Sequence, residues 1–284
     1  MAEARPLPAL PEGWIHRTPR RSYAEGAQRR GSVSWLHALW VLTRHEFRSR
    51  YRAQALGVVW SLLYPVVMMG ILSVIFGRVF RSDDVDYPIF ALIGIIFWQF
   101  VSRALNSSTT AFIGHAEIIK RTIFPRQLLP LAVMLSFGIN FLVESMVLFI
   151  FIPVFPHSFK LSWALLLLPV VLGFLVLCLA GVALAMSVLN VIYRDLAYLV
   201  EIGLMILYWL TPVIYRLDRV PEPYQAILKG SPLTGVVNAL RNIIMLGQPP
   251  SLLCWASMVA PSLVIFGIGW LIFRRWERTV LDYV

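Results

Sequence analysis

The chain has 284 residues, of which 58% are hydrophobic and only 14% are charged, and its mean hydropathy is +0.73. Soluble domains carry about 25% charged residues, so this composition excludes a water-soluble globular protein. The 17 Phe, 10 Trp and 10 Tyr exclude a disordered chain, and 2 cysteines are too few for a disulfide framework. An all-α membrane protein with several spans remains. Its net charge of +10 then concerns membrane orientation and lipid rather than nucleic acid.

The N-terminal region has two parts. Residues 1–33 are rich in Pro, Gly and Arg and lack an apolar core, which predicts a flexible basic cytoplasmic tail and no signal peptide. Residues 34–52 place Trp and Leu on one helical face and Arg on the other, although Thr43, Glu46 and Arg50 intrude on the apolar face. The pattern predicts an amphipathic helix in the cytoplasmic headgroup layer, and a plain basic flank is the alternative.

Six later stretches are apolar over the roughly 20 residues that a helix needs to cross a bilayer. They are about Ala55–Phe76, Pro88–Phe112, Leu128–Val154, Trp163–Leu189, Ala197–Ile214 and Leu252–Phe273. Most of the 25 Lys and Arg residues fall before the first stretch, in the second and fourth connections and after the last stretch. Positive residues favour the cytoplasmic side, so we expect both termini in the cytoplasm.

Two connections have patterns of their own. Residues 114–124 predict a short cytoplasmic helix that ends before Pro125 and presents apolar and basic side chains for docking, with a plain connector as the alternative. Residues 215–250 lie outside and predict two short helices, Pro221–Lys229 and Pro232–Leu246. This pair would re-enter the outer leaflet without crossing it, and a surface loop is the alternative.

Three ionisable residues, Arg103, Glu144 and Glu201, lie within apolar stretches. A charge at that depth is costly, so each should face protein or water. Either glutamate is close enough in depth to pair with Arg103, and we expect an ion pair that fixes helix packing. A proton relay would need more carboxylates. The aromatic side chains of the same region form a membrane-interface belt by default, and Phe97, Trp98 and Phe100 are also candidates for contact with sugar rings.

Motifs for chemistry are missing from the sequence. It contains no GxxxxGK[ST], HExxH or CxxC string, and its 5 His residues have no metal-binding spacing. The chain therefore has no catalytic or metal site that its motifs would identify. A membrane-embedded transferase lacks a cluster to support it.

Four blocks in order carry a resemblance. They are RYRAQALGVVWSLLYPVVMM (Arg50–Met69), FWQF (Phe97–Phe100), IIKRTIFPRQLLP (Ile118–Pro130) and NVIYRDL (Asn190–Leu196). The chain resembles the type-two ATP-binding-cassette (ABC) permease family, and most closely its branch that exports cell-surface polysaccharides such as O-antigen, capsule and teichoic acid. The resemblance covers about Ser34 to Arg278.

The resemblance implies a homodimer in the bacterial inner membrane with two copies of a separate ATPase subunit, which binds ATP and Mg, so that this chain needs no cofactor. The cargo would be a polysaccharide, or a glycan on polyprenyl pyrophosphate, that crosses between the two permeases. Residues 34–52 would be a gate helix, 53–278 the six-span domain and 279–284 a cytoplasmic C-terminus. The same fold carrying a drug or lipid is an open alternative, and a passive channel is another.

Roles for individual residues follow from the resemblance. Four arginines would hold the diphosphate where cargo is taken up: Arg44, Arg48, Arg50 and Arg52. Aromatic residues of the first, second and fifth spans would line a channel: Trp60, Tyr64, Phe97, Trp98, Phe100 and Tyr208. Residues of the second and fourth connections would couple to the ATPase: His115, Glu117, Ile118, Lys120, Arg121, Phe124, Arg194 and Asp195.

Overall fold

The computed structural model describes residues 35–52, 59–76, 86–116, 125–277 and 280. Two compact units are distinguished, Met1–Ala38 and Leu39–Val284, and only residues 35–38 of the first are described. The predicted N-terminal tail, most of the segment 114–124 and all of the C-terminus except Val280 therefore lie outside the described residues. The side chains discussed for function belong to the second unit.

The described residues are largely helical, and no strand occurs among them. In chain order the helices are α1 (Trp35–Tyr51), α2 (Val59–Val74), α3 (Tyr87–Thr109), α4 (Ala111–Gly114), α5 (Leu128–Phe151), α6 (Leu168–Ile192), α7 (Leu196–Leu210), α8 (Glu222–Lys229), α9 (Pro232–Arg241) and α10 (Leu252–Trp276). Short 3-10 turns lie at Pro156–Ser158, Trp163–Leu167 and Leu217–Arg219, and a π-helical turn, Asn242–Leu246, extends α9.

Four segments are long and apolar enough to cross a membrane: Tyr87–Thr109, Leu128–Phe151, Trp163–Ile192 and Leu252–Trp276. They confirm the second, third, fourth and sixth predicted spans. The helices at the first and fifth predicted spans, α2 and α7, are apolar but have 16 and 15 described residues. At about 1.5 Å per residue they are shorter than a bilayer core of about 30 Å, so their crossing stays a prediction.

Helix α3 lies at the centre of the bundle. It packs against α2, α5, α6, α7 and α9. Most of its side chains are buried, including Ile89, Leu92, Ile96, Val101 and Ala104. An apolar helix of a membrane protein can face lipid as well as protein, but the burial of this one shows that other helices surround it. The polar side chains that α3 does carry are therefore held in fixed positions by its neighbours.

The most extensive helix contact joins α6 to α10, and it depends on two glycines. A Cβ at Gly181 would lie 2.5 Å from the Cα of Phe266, and a Cβ at Gly269 would overlap the carbonyl of Gly181. Small residues allow helix backbones to approach closely where a membrane supplies no hydrophobic drive for association. This pair fixes α10 against the rest of the bundle.

The segment after α7 is packed on the bundle through α9. The last residue of α9, Arg241, is buried and donates hydrogen bonds to three carbonyls, those of Pro212 (2.6 Å), Val213 (2.7 Å) and Phe90 (3.1 Å). Its guanidinium lies 3.4 Å from the centroid of the Phe90 ring. The absence of a side chain at Gly94 makes room for the Val213 carbonyl. The two predicted short helices exist as α8 and α9, and their place in the outer leaflet stays a prediction.

The bundle has two ends that its contacts identify. At one end Arg126, just before α5, donates to the carbonyl of Glu277, and α4, which ends just before His115, packs against α5; we name this the His115 end. At the other end the Ser158 hydroxyl donates to Oδ1 of Asp86 at 2.5 Å; we name this the Asp86 end. The distribution of Lys and Arg predicts that the His115 end faces the cytoplasm.

Candidate functional site

A groove of about 440 Å³ lies between α2, α3 and α7. Three aromatic side chains, one from each helix, form its walls: Tyr64, Trp98 and Tyr208. The rings of Trp98 and Tyr208 meet edge to face, with centroids 5.4 Å apart. Each helix contributes because its groove-facing positions recur every three or four residues. The groove therefore presents aromatic surface from three separate elements.

Polar side chains line the same groove beside the aromatic rings. Gln99, Ser102 and Asn106 come from successive turns of α3, and Glu201 comes from α7. Gln99 is only 6% exposed, yet neither its Nε2 nor its Oε1 has a hydrogen-bond partner among the described residues. A buried amide without partners is costly, so a ligand or a neighbouring chain is expected to satisfy it.

The chemistry of the groove suits a sugar chain. The C–H faces of a sugar ring are apolar and stack on aromatic rings, while its hydroxyls need hydrogen-bond donors and acceptors at the edges. Gln99 offers both a donor and an acceptor, and the Glu201 carboxylate accepts. Glu201 is exposed, and no cation among the described residues pairs with it.

The six aromatic residues predicted to line a channel are placed differently by the structure. Tyr64, Trp98 and Tyr208 line the groove, and Trp60 is exposed on α2 one turn before Tyr64. Phe97 and Phe100 are 0% and 4% exposed and lie in the core, where Phe100 packs against Phe141. These two residues do not line the groove, and their contact with a channel stays a prediction. They face the other side of α3, toward its neighbours.

A chain of polar contacts joins α1, α3 and α5. Nη1 of Arg103 lies 3.0 Å from Oε1 of Glu144, which also accepts from Nδ2 of Asn140 at 3.3 Å. The Tyr51 hydroxyl donates to Oδ1 of Asn140. Of the two carboxylates that the sequence left open, Glu144 pairs with Arg103, whereas Glu201 lies at the groove. The network fixes α1 on the bundle.

The site predicted from the sequence did not include Tyr51, Ser136 or Asn140. Ser136, Asn140 and Glu144 are spaced four apart on α5, so they lie along one face of the helix. That spacing of polar residues in an otherwise apolar helix was the signal that could have identified them. Their partners on α1 could not be found in the same way.

The four arginines predicted to take up cargo separate into two groups. Arg44, Arg48 and Arg52 are exposed and spaced four apart on one face of α1. Arg50 is half-buried: its Nη2 donates to the Ser136 hydroxyl at 2.9 Å, and its guanidinium lies 3.5 Å from the Phe137 ring centroid. Arg50 is thus committed to α5 and does not belong with the exposed three.

His115 connects the end of α4 to α1. Its Nδ1 donates to the carbonyl of Ala111 at 3.0 Å, and its Nε2 lies 3.0 Å from Oε1 of Glu46. Both ring nitrogens face acceptors, an arrangement that the doubly protonated, charged form of the ring satisfies. The hydrogen bond to Glu46 raises the pKa of His115, and the same bond lowers the pKa of Glu46.

Residues 37–245 match the model of a protein family described as ABC-2 type transporter. The matched region begins in α1 and extends through the π-helical turn after α9, so it includes the groove and the polar network. It covers more than half of the chain. The chain belongs to the ABC-2 type transporter family.

Individual relatives agree with the ABC-2 type assignment. The O-antigen export system permease protein RfbA of Klebsiella pneumoniae is 32% identical over 207 residues, which cover 73% of this chain and 80% of the relative. The RfbA protein of Myxococcus xanthus is 25% identical over 240 residues (83% and 92%). The polysialic acid transport protein KpsM of Escherichia coli is 24% identical over 247 residues (83% and 92%).

The positions predicted to couple this ABC-2 type chain to an ATPase are described only in part. Glu117, Ile118, Lys120, Arg121 and Phe124 lie outside the described residues. Arg194 and Asp195 are exposed in the connection between α6 and α7, where they line a cavity of about 650 Å³. His115 is described, and its Nε2 contacts the carboxylate of Glu46 on α1 at 3.0 Å.

Proposed function

We propose that this chain is the membrane-spanning subunit of an ABC exporter that moves a cell-surface polysaccharide out of a bacterium. Three relatives named for O-antigen export or polysialic acid transport support this cargo class. The observation that carries the proposal is the groove, in which Tyr64, Trp98 and Tyr208 stand beside the unsatisfied amide of Gln99. Aromatic faces grip a sugar chain weakly enough to let it slide.

The working unit would be a homodimer with six spans in each permease. The helices that border the groove support a dimer, because no described residue covers much of their outer surface. On α7 only Leu204 is buried, and Trp60, Val67 and Ile71 of α2 are exposed. A second copy that faced these helices would enclose the groove as a path between the two permeases. The shorter apolar helices α2 and α7 would then be the first and fifth of the six spans, supported by contacts with the second copy.

Energy would come from a separate ABC ATPase at the His115 end. The sequence has no phosphate-binding loop of its own, and the ABC-2 family assignment supports a partner that supplies one. The partner would seat on residues 114–124 with Arg194 and Asp195 nearby. Closure of the ATPase would move this segment and, through the His115–Glu46 contact, the helix α1.

Cargo would be taken up at α1 in the bacterial inner membrane, with both termini in the cytoplasm. Binding of an anionic diphosphate is supported by the exposed set Arg44, Arg48 and Arg52, because a guanidinium group donates bidentate hydrogen bonds to phosphate oxygens. Cargo on polyprenyl pyrophosphate would present that group in the inner leaflet. Arg50 would keep α1 in position through Ser136 and Phe137 rather than touch the cargo.

Replacement of Trp98 in the native strain tests the function. Trp98→Ala should reduce surface polysaccharide at least about fivefold at equal protein level, because the groove loses its central aromatic wall. Trp98→Phe should retain most export. The matched control is Trp163→Ala, which removes an exposed tryptophan outside the groove. The proposal is overturned if a strain that lacks the chain keeps normal surface polysaccharide but becomes sensitive to a drug or loses an exported lipid. The cargo would then be of a different kind.

A further inference from the structure

An apolar groove of about 450 Å³ opens on the outer surface of the bundle near its Asp86 end. Its walls come from α3, α5, α6 and the turn after α9, and include Ile96, Phe149, Leu172 and Ile244. Leu161 at its edge is 97% exposed. Apart from Ser145 and Lys160, the side chains that line it are apolar or aromatic. A groove of this composition leaves a polar ligand without hydrogen bonds.

A second cavity, of about 430 Å³, lies at the same end and is rich in positive charge. Its described lining includes four cations, Lys160, Arg216, Lys229 and Arg241, against two carboxylates, Asp86 and Asp218. The buried guanidinium of Arg241 is held by carbonyls, and no carboxylate among the described residues lies within ion-pair distance of it. Lys229 bonds to the neutral amide of Gln225. The described lining therefore has an excess of positive charge.

Two buried groups on the wall of this cavity also have no partner. Nε of Arg241 and the hydroxyl of Thr234 make no hydrogen bond within the described part of the chain. Oδ1 of Asp86, by contrast, accepts a hydrogen bond from Ser158. Cationic and unsatisfied donor groups on one wall favour an anionic ligand in the cavity.

Lys160 is the residue that the apolar groove and the cationic cavity share. Its backbone N–H donates to the carbonyl of Ile244 at 3.1 Å, which fixes its position in the loop between α5 and α6. Gly247, with φ of +64°, packs against it so closely that a Cβ there would lie 2.9 Å from Cβ of Lys160. The ammonium group itself has no hydrogen bond or ion pair with any described residue. A free cation thus stands between an apolar groove and a cationic cavity.

We propose that this junction binds an anionic phospholipid, with an acyl chain in the apolar groove and the headgroup phosphate at Lys160 and the cationic cavity. The arrangement matches the two halves of such a lipid, and basic pockets between helices bind lipid headgroups. A glycan would find no partners for its hydroxyls in the groove. A zwitterionic lipid would bring a positive amine to a site that already holds cations. The proposal concerns the lipid around the protein and does not depend on the identity of the cargo.

Retention of phosphatidylglycerol by the purified full chain tests the site. The protein is reconstituted in discs of phosphatidylcholine with an equal part of phosphatidylglycerol, extracted in mild detergent, and its bound lipid is counted by native mass spectrometry. The unchanged protein should retain phosphatidylglycerol in preference to phosphatidylcholine. Lys160→Gln should reduce the retained phosphatidylglycerol about fivefold, and Lys160→Arg should preserve it. Ser145→Phe, which fills the groove, should reduce retention of either lipid.

The matched control is Arg219→Gln, because Arg219 is exposed and lines neither cavity. It should retain as much phosphatidylglycerol as the unchanged protein. Equal retention of the two lipids by the unchanged protein would overturn the proposal, as would full retention by Lys160→Gln. A bound glycan in place of lipid would also overturn it and assign the cavity to the cargo. Failure here leaves the export proposal standing, because that proposal is tested by surface polysaccharide.

Discussion

Helix α3 carries two sets of polar side chains that differ in what surrounds them. One set contacts α5, where Arg103 meets the carboxylate of Glu144, which Asn140 also supports. The other set borders the groove, where the buried amide of Gln99 has no hydrogen-bond partner among the described residues and no described cation pairs with Glu201 of α7. Gln99 and Arg103 are four residues apart on α3, so the two sets are neighbours along the same helix.

The difference separates groups that hold the fold from groups that are available to bind. A charge that is paired and hydrogen-bonded inside an apolar bundle contributes to assembly, and its loss leaves the partner charge uncompensated. An amide that the chain leaves unsatisfied adds nothing to the fold, and it gains hydrogen bonds only from an outside molecule. The two sets of polar side chains should therefore respond to substitution in opposite ways.

The largest effect is expected from Arg103→Leu. The substitution leaves the Glu144 carboxylate buried without its cation, and the free energy of unfolding in detergent should fall by about 2 kcal/mol, since the partly exposed guanidinium tempers the full cost of a broken pair. Expression of the assembled protein should fall with it. The measurement is chemical unfolding of the purified protein.

The double variant Arg103→Leu with Glu144→Leu sharpens this result. Well-packed apolar side chains can replace a buried ion pair at little cost, so most of the lost free energy of unfolding should return. Arg219→Leu is the exposed control and should change the stability by less than about 0.5 kcal/mol. If the double variant is no more stable than Arg103→Leu alone, the ion pair is not the cause of the loss.

A smaller effect of opposite sign is expected from Gln99→Leu. Removal of a buried, unsatisfied amide should leave the free energy of unfolding unchanged or raise it by up to about 1 kcal/mol. Export of polysaccharide should nevertheless fall about fivefold to tenfold, because the groove loses a donor and an acceptor for sugar hydroxyls. Surface polysaccharide and unfolding are measured on the same variant.

The matched control for Gln99→Leu is Thr234→Val, which removes another buried group without a partner, far along the chain and outside the groove. It should behave like Gln99→Leu in unfolding but keep export at the unchanged level. A clear loss of stability in Gln99→Leu would mean that the Gln99 amide has hydrogen-bond partners in the protein. The comparison between the two sets of polar side chains would then fail.

The sequence alone predicts much of the fold, because long apolar stretches in a chain of this composition are spans. The bounds of α3, α5 and α10 agree with their predicted stretches within a few residues. The two shorter apolar helices are harder, since α2 and α7 have 16 and 15 described residues, fewer than the roughly 20 that a span needs. The family also follows from the sequence blocks, and the family match confirms it.

The orientation of individual side chains could not be predicted in the same way. Thr43, Glu46 and Arg50 are exceptions on the apolar face of α1, yet Glu46 and Arg50 meet His115 and Ser136 there. The pattern of a single helix cannot identify polar partners that lie some 70 to 90 positions later in the chain.

The same limit affected the candidate site. Depth in the membrane left both Glu144 and Glu201 as partners for Arg103, because the rotation of each helix decides between them. Rotation also separates Trp98, in the groove, from Phe97 and Phe100, in the core. A run of aromatic residues in one helix necessarily points in several directions, so only the neighbouring helices determine which of them a ligand can reach.

The smallest expected effect belongs to a third polar contact, the His115–Glu46 pair, which is only partly buried. Glu46 raises the pKa of His115, so the bond stabilises the protein fully below the ordinary histidine value and is lost as the pH rises through the raised pKa. On the acid side it is lost as the pH falls through the lowered pKa of Glu46. The bond therefore contributes fully between the ordinary pKa of a glutamate and the ordinary pKa of a histidine.

Thermal unfolding of the unchanged protein and His115→Gln, followed from about pH 6 to about pH 9, measures this contact. The unchanged protein should be more stable than the variant by about 0.5–1 kcal/mol at the lower pH, and the difference should vanish at the higher pH. His157→Gln, at the other end of the bundle, is the control for the loss of a histidine that does not contact Glu46. His45 lies 4.0 Å from Glu46, so His45→Gln is measured as well. A difference that stays constant with pH would show that His115 contributes as a neutral side chain, and the contacts of Arg50 and Tyr51 would then be the polar contacts that hold α1 among the described residues.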